Sequence, residues 1–306
     1  MKDFRPPFTW SFTKFNMYNE CQRRYYLQYY GSIYGWKQDA TEAQKTNYML
    51  KNMTNRFILS GLKTHEVIAD VIKIHSNGYE EPIKYAKKDL IKKLRESYKE
   101  SIDKKWKTSI KNFCNLEEHY FEQNISDEQW VQFRENAVSN LEGFYDSEYY
   151  QNIDTIAKNI PYEIDKLDKF NYYDTQCYAA PDFAYKEDSK LIIIDWKTGK
   201  ESHEHKIQLL VYALYAKNKW NIDYLDMELH AVYLKENKVV KESNINENIQ
   251  TVEYLIKQNI DEIKNKLIDV DKNIANESEF KMTSNESVCK YCKFRKICHA
   301  DNYKEL

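Results

Sequence analysis

The run Leu191-Ile192-Ile193-Ile194 restricts the fold of this chain more than any other stretch. Four successive large apolar residues leave no polar face at the two-residue period of a strand, so a strand built from them must be covered on both sides. Turn residues bound the run, Glu187-Asp188-Ser189 before it and Lys197-Thr198-Gly199-Lys200 after it, which makes it too short for a helix. It predicts a central strand over 190–196, and therefore an α/β domain with helices packed on the faces of its sheet.

The flanking patterns extend this architecture. Residues 160–170 and 175–186 are Tyr-, Ile- and Phe-rich and separated by Asn171-Tyr172-Tyr173-Asp174, so with 190–196 they predict a meander of three strands. A helix is expected over 205–215, strands over 226–234 and 237–241 around a turn at Glu236-Asn237, and an amphipathic helix over 249–270. Toward the N-terminus, Phe12, Phe15, Met17, Tyr18, Cys21, Tyr25, Tyr26 and Leu27 recur at helical spacing. This predicts one helix over 9–30, capped by Ser11 or Thr9 and ended at Gly31. A longer helix is expected over 41–76, with Phe57, Leu59, Leu62, Val67, Ile68 and Val71 as its apolar face, and two or three more helices between 82 and 151. The expected organisation is one domain over 1–306: N-terminal helices (1–76), a helical insertion (77–155), a sheet core (156–245), and a C-terminal helix with a cysteine cluster (246–306).

Composition narrows the partners. Of 306 residues 31% are charged, yet 46 Lys and Arg stand against 48 Asp and Glu, so no global positive field draws the chain to nucleic acid and any such patch must be local. The 26 tyrosines are first of all half-buried packing residues, with base stacking open to some of them. No apolar run approaches the roughly 20 residues that span a bilayer, and the first ten residues lack an apolar signal core; the expectation is a cytoplasmic protein without membrane contact.

Two groups of residues carry chemistry. Asp182 and Asp195 lie on neighbouring expected strands, each preceded by apolar residues, and together suit a hard divalent cation, which prefers oxygen ligands and is held by one or two carboxylates. Lys197, two residues beyond Asp195, shares its face of the strand. There its ammonium is placed to orient an attacking water and to offset developing negative charge, while Trp196 points into packing and leaves its carbonyl to the metal. The second group is Cys21 together with Cys289, Cys292 and Cys298, spaced C-x2-C-x5-C. In a reducing compartment such thiols more often bind metal than form disulfides, and four of them suit either Zn2+ or an iron–sulfur cluster. A centre held there would tie the first helix to the last segment. Cys114 and Cys177 have no nearby partner and read as small buried hydrophobes, and His299 as a bystander beside Cys298.

In the order of these motifs the chain resembles the PD-(D/E)xK nuclease superfamily, and within it the RecB-like branch. The resemblance runs from Ser11-Phe12-Thr13 and Cys21-Gln22-Arg23-Arg24-Tyr25-Tyr26 through Gly61 and His65, Pro181-Asp182, Asp195-Trp196-Lys197-Thr198-Gly199 and the Gln208–Tyr212 pair to the cysteine tail. It implies a restriction-endonuclease-like core, a mixed central sheet flanked by helices, with a helical insertion and a [4Fe-4S] staple on Cys21, Cys289, Cys292 and Cys298 joining the two termini; Zn2+ is the alternative there. It implies that His65 adds a nitrogen ligand beside Asp182 and Asp195, admitting Mn2+ as well as Mg2+. It implies too that Gln208 and Tyr212, one turn apart, buttress the site and contact the substrate strand. Glu163 matches the family more loosely. Where many relatives have a glycine-containing turn before the first aspartate, this chain has Tyr178-Ala179-Ala180-Pro181-Asp182-Phe183.

The implied activity is a metal-dependent DNA exonuclease acting on single strands or strand ends, with Arg23, Arg24, Lys200 and Lys206 as candidate phosphate contacts. Two other readings stand beside it: a non-catalytic DNA-end-binding subunit of a repair, recombination or CRISPR adaptation complex, and a structure-specific endonuclease. No G-x4-G-K-[ST] loop occurs, so processive unwinding would require a helicase partner.

Overall fold

The computed structural model describes residues 5–160 and 167–299. Nine strands and eight principal helices alternate along these residues: β1 Thr9–Ser11, α1 Phe12–Glu20, α2 Gln22–Tyr29, α3 Glu42–Lys51, α4 Arg56–Ser76, α5 Ile83–Ile102, α6 Asp127–Asp146, β2 Asp168–Tyr172, β3 Thr175–Ala179, β4 Phe183–Glu187, β5 Lys190–Lys197, α7 His203–Trp220, β6 Met227–Tyr233, β7 Lys238–Glu242, α8 Ile245–Asn265, β8 Leu267–Asp269 and β9 Ile274–Ala275. None of the described helices is long and apolar enough to cross a membrane. The chain folds as two compact units, one comprising residues 54–170 and 179–252, the other residues 1–53, 171–178 and 253–306.

The first unit is built on a four-stranded mixed sheet in the order β4-β5-β6-β7. β4 and β7 run antiparallel to their neighbours, while β5 and β6 are parallel, in a register that pairs Asp195 with Ala231 and Lys197 with Tyr233. A parallel pair needs a crossover, and α7 supplies it. β5 is the expected central strand: every residue from Leu191 to Trp196 is buried. Its two faces separate by alternation. Ile192, Ile194 and Trp196 enter one core with Phe183, Tyr185 and Val232, where Leu59, Val67, Ile68 and Val71 of α4 and Phe133, Leu141 and Phe144 of α6 also pack. Leu191, Ile193, Asp195 and Lys197 share the opposite face.

The helical segment between α4 and β2 is part of this unit. α4 is capped by Asn55, whose side chain accepts from Phe57 N and Ile58 N, and α6 by a reciprocal Ser126–Gln129 box. α6 lies so close to the turn after β6 that a Cβ on Gly143 would fall 1.8 Å from the Leu234 carbonyl oxygen; only glycine lets the helix approach there.

In the second unit β1 pairs in parallel with β3, Thr9 to Ser11 against Gln176 to Tyr178, and a largely aromatic core gathers Tyr18, Tyr25, Tyr30, Ile263 and Phe280. Trp10 Nε1 donates to Asn259 Oδ1 at 3.0 Å, and Arg23 Nε donates to the Phe280 carbonyl at 2.8 Å, so the N-terminal helices are fastened to the C-terminal segment.

Several elements differ from the sequence expectation. The helix expected over 9–30 is preceded by β1 and broken at Cys21, which takes an extended conformation (φ −161°, ψ 110°) and caps α2 with its sulfur. The helix expected over 41–76 is two helices separated at Asn52–Asn55. Phe57 and Leu62, assigned to its buried face, are 65% and 54% exposed, because the core lies against the Leu59–Val67–Val71 side. The strand expected over 175–186 is two strands in different sheets, divided at Ala180–Asp182, where Pro181 has no N–H for a ladder. The three-strand meander therefore does not form. Its first turn does: Tyr173 and Asp174 both adopt φ near +50° between β2 and β3. The helix expected over 249–270 ends at Asn265 and gives way to β8.

Candidate active site

The site forms where β4 begins and β5 ends. Asp182 sits just before β4, and its Oδ2 accepts from the Trp196 N–H at 2.8 Å, which pins the loop carboxylate to the neighbouring strand. Its Oδ1 meets His65 Nδ1 of α4 at 3.3 Å. α4 reaches this point because Gly61, one turn before His65, has no side chain to strike Thr198, whose Oγ1 would be 2.9 Å from a Cβ there. Asp195 and Lys197 point to one side of β5, as their spacing requires, and their charged ends are in contact. α7 covers that side with Gln208 and Tyr212. Lys197 Nζ donates to Gln208 Oε1 at 2.7 Å and Gln208 Nε2 donates to Tyr212 Oη at 2.7 Å, so lysine, amide and phenol form one hydrogen-bonded chain, and the negative charge of Asp195 acts on the Tyr212 hydroxyl.

The electrostatics separate the two carboxylates. Burial raises the Asp195 carboxyl, the negative charge of Asp182 adds to this, and together they outweigh Lys197, pushing it up to about 7. Asp182 feels burial as well, but His65 beside it, the Trp196 N–H and a hydrogen bond from Asp195 hold it below the usual carboxylate range. His65 moves in the complementary sense: burial would lower it, and Asp182 raises it. Without a cation, Asp182 and His65 each favour the other's charged form, and beside them the proton affinity of the Asp195 carboxyl is raised toward neutrality. Two like charges in hydrogen-bond contact are stable only with a proton or a cation between them.

Among the described residues no three His, Cys, Asp or Glu side chains are already drawn up as a closed metal cage. The donor chemistry nevertheless fits a hard cation, because Asp195 Oδ2 is buried and receives no aligned hydrogen bond despite its ion pair with Lys197. Trp196 is 3% exposed and packs edge-on against Phe144 and Tyr149. Its ring faces the core as its position on the strand requires.

Sequence reading missed a neighbouring pair. His205 Nδ1 lies 2.8 Å from Tyr233 Oη, and Tyr233 is the register partner of Lys197. Burial and then the Lys197 ammonium pull His205 down to about 4, so it is a neutral imidazole at physiological pH. The available signal was its place on α7, three residues before Gln208 and seven before Tyr212.

The remaining expected residues lie as follows. Cys21, Cys289, Cys292 and Cys298 are free thiols that line one cavity in the second unit. Arg23 pairs with Glu277, Arg24 with Glu20 and Lys206 with Glu242, whereas Lys200 is exposed beside Gly199. Cys177 is fully buried, and burial pushes both it and Cys114 up to about 12, as inert core thiols. Glu163 lies outside the described residues.

A mixed sheet that presents two acidic side chains and a lysine at the junction of neighbouring strands, flanked by helices, is the framework of a nuclease that cuts with bound divalent cations. The family model of the PD-(D/E)XK nuclease superfamily matches residues 9–299, and the chain belongs to that superfamily, whose members are typically metal-dependent nucleases using cations such as Mg2+ or Mn2+. No curated protein matches the chain.

Proposed function

We propose that this nuclease is a DNA exonuclease that processes single strands or strand ends, with Asp182, Asp195 and His65 holding the catalytic cation and the Trp196 carbonyl as a further ligand. The observation that carries the reading is the Asp195–Lys197–Gln208–Tyr212 chain of contacts set against the Asp182–His65 pair. A bound Mg2+ or Mn2+ would supply an activated water and Lewis-acid stabilisation of the phosphorane. Lys197, fixed by Gln208, orients that water and screens the charge that develops on the phosphate. Tyr212 accepts from Gln208 and so helps to hold the amide that positions Lys197. A binding-only subunit would gain nothing from burying these like charges together.

The test uses end-labelled linear and circular single-stranded DNA with Mg2+ or Mn2+ and a Lys197→Ala control. Wild-type protein is expected to degrade the linear form and spare the circle. Absence of cutting with either metal, or equal cutting by the variant, would sink the catalytic reading, and cutting of the circle would make the enzyme an endonuclease.

The charge pattern supports a backbone contact on α5. Between Lys84 and Lys111 eleven Lys and Arg residues face four Asp and Glu, a surplus of seven positive charges in a chain of net charge −2. Lys84, Lys88, Lys92, Arg95 and Lys99 are all exposed. At about 100° per residue they fall within roughly 80° of arc, a stripe ~22 Å long. The triple variant Lys88→Gln, Arg95→Gln, Lys99→Gln should make the dependence of log K on log salt shallower by about 2, since each phosphate contact to a single strand contributes ~0.7. An unchanged slope would remove α5 from the DNA path.

For the four cysteines we propose a structural [4Fe-4S] cluster. The thiols are unpaired and share a cavity, and an iron–sulfur centre takes four thiolates. Zn2+ is the second reading, and one observation favours it: the cavity measures about 20 Å3, room for a single ion. We further propose a cytoplasmic location, with a helicase or CRISPR adaptation protein as partner.

A further inference from the structure

Beside the catalytic strand the first unit contains a cavity of about 520 Å3, within the ~300–1,000 Å3 range of small-ligand sites. Its floor starts with the residues that follow Lys197. Gly199 has no heavy atom within 4 Å of the place a Cβ would occupy, and Lys200 next to it makes no ion pair among the described residues. Across the cavity Lys235 donates to Asn136 Oδ1 at 3.1 Å and likewise has no carboxylate partner there. Two ammonium groups therefore stand at one cavity with no ion-pair partner among the described residues, while a single carboxylate, Glu236, shares the lining.

Two further residues give the cavity an aromatic surface and a hydrogen-bond acceptor. Phe57, in the first turn of α4, is 65% exposed, and the Arg56 guanidinium lies 4.5 Å from its ring centroid. An exposed ring backed by a cation is a stacking platform rather than a core residue. Asn140 of α6 is 3% exposed; its Nδ2 donates to the Asn136 carbonyl at 2.9 Å, but its Oδ1 has no hydrogen-bond partner. A buried acceptor left unpaired is costly, and a ligand N–H would satisfy it.

We propose that this cavity holds one unpaired nucleotide of the substrate strand, with its base stacked on Phe57, an amino or imino group of the base donating to Asn140 Oδ1, and its phosphate at Lys200 and Lys235. The inference rests on the nuclease reading and deepens it. A base in a duplex has its hydrogen-bonding edge and both π-faces engaged, so the cavity selects single strands and frayed ends.

The test is made in EDTA, where no cutting is possible, with short single strands carrying 2-aminopurine at the 5′ end, the 3′ end or the middle. Emission at one of these positions is expected to change on binding, to revert in Phe57→Ala with about tenfold weaker affinity, and to be retained in Phe57→Tyr. Asn140→Leu, which keeps the volume without the acceptor, should weaken binding several-fold with an unchanged thermal transition. No emission change at any position, or the same change with 2-aminopurine in a duplex, would overturn the proposal. Equal affinity for the free 2-aminopurine nucleoside monophosphate would overturn the strand assignment and mark a mononucleotide site. Emission change without cutting under any metal would remove the nuclease reading and leave the cavity as a binding site; cutting without emission change would do the reverse.

Discussion

Asp195→Asn is expected to lower metal-dependent cleavage by about a thousandfold or more and, in the metal-free protein, to flatten the loss of stability with rising pH. The first effect follows from removing one of the two carboxylates proposed to hold the cation: each ~1.4 kcal/mol of lost transition-state stabilisation is tenfold in rate, and a bound metal contributes several kcal/mol. The second follows from linkage. A carboxyl raised by burial and by Asp182 to about 7 binds its proton more tightly in the folded state. Its contribution is fully present below the unfolded-state value near 4 and is lost as pH rises to about 7.

The difference in Tm between variant and wild type, measured in EDTA, should therefore grow from pH 5 to pH 8 by a few °C, on the scale of ~2–4 °C per kcal/mol for chains of this order of size. Reading the change with pH separates it from the constant cost of leaving Lys197 without its carboxylate. Added Mg2+ should restore the wild type at pH 8 and leave the variant unmoved. A Tm difference independent of pH would show that Asp195 is not the group holding the proton, even if activity were lost.

Cys292→Ala is expected to strip the bound metal from the protein and to lower the thermal transition of the second unit by about 10 °C or more. Structural metal sites contribute of order 10 kcal/mol to the folding of the segment that carries them. Burial, then neighbouring thiols, raises Cys298 to about 12, and Cys289 likewise rises through burial and Cys21. Thiols raised in this way ionise far more readily against a bound cation. Iron and sulfide in equal amounts with broad visible absorption would establish the cluster, zinc in their place the second reading. A wild-type protein with neither metal, or a variant with undiminished metal content, would refute both. The outcome is read separately from the cleavage assay, because the thiols and the Asp182 and Asp195 carboxylates belong to different units.

The sequence announced the centre of the sheet and the shared face of Asp195 and Lys197 more plainly than the elements around them. Leu191 to Ile194 could be nothing but a strand covered on both sides, and the two-residue step from Asp195 to Lys197 required a common face. The break at Cys21 was hidden because the apolar spacing runs on through it, from Met17 and Tyr18 to Tyr25. At Asn52–Asn55 the signal was present, since Asn55 is a good cap directly before the apolar run of α4. Pro181 carried the information that 175–186 is two strands, and it read as a nuclease signature before it read as a strand breaker. The exposure of Phe57 and Leu62 was not legible, since periodicity assigns a residue to a side of a helix but does not say how wide the covering core will be. His205 and Tyr233 escaped because their relation depends on the register of β5 with β6, which no local pattern encodes.

The close approach of Gly143 to the Leu234 carbonyl bears on how this enzyme could be dissected. A segment of helices interposed before a catalytic sheet looks dispensable, a module to be trimmed or transplanted. Here α6 rests on the turn that leaves β6, and α6 also contributes Asn140 and Phe133 to the wall beside Gly199. A shortened enzyme made by excising residues between α4 and β2 would keep Asp182, Asp195 and Lys197 in its sequence, yet it would lose the surface against which the ends of their strands are braced. The minimal nuclease is therefore larger than its motif, and the helices belong inside its boundary.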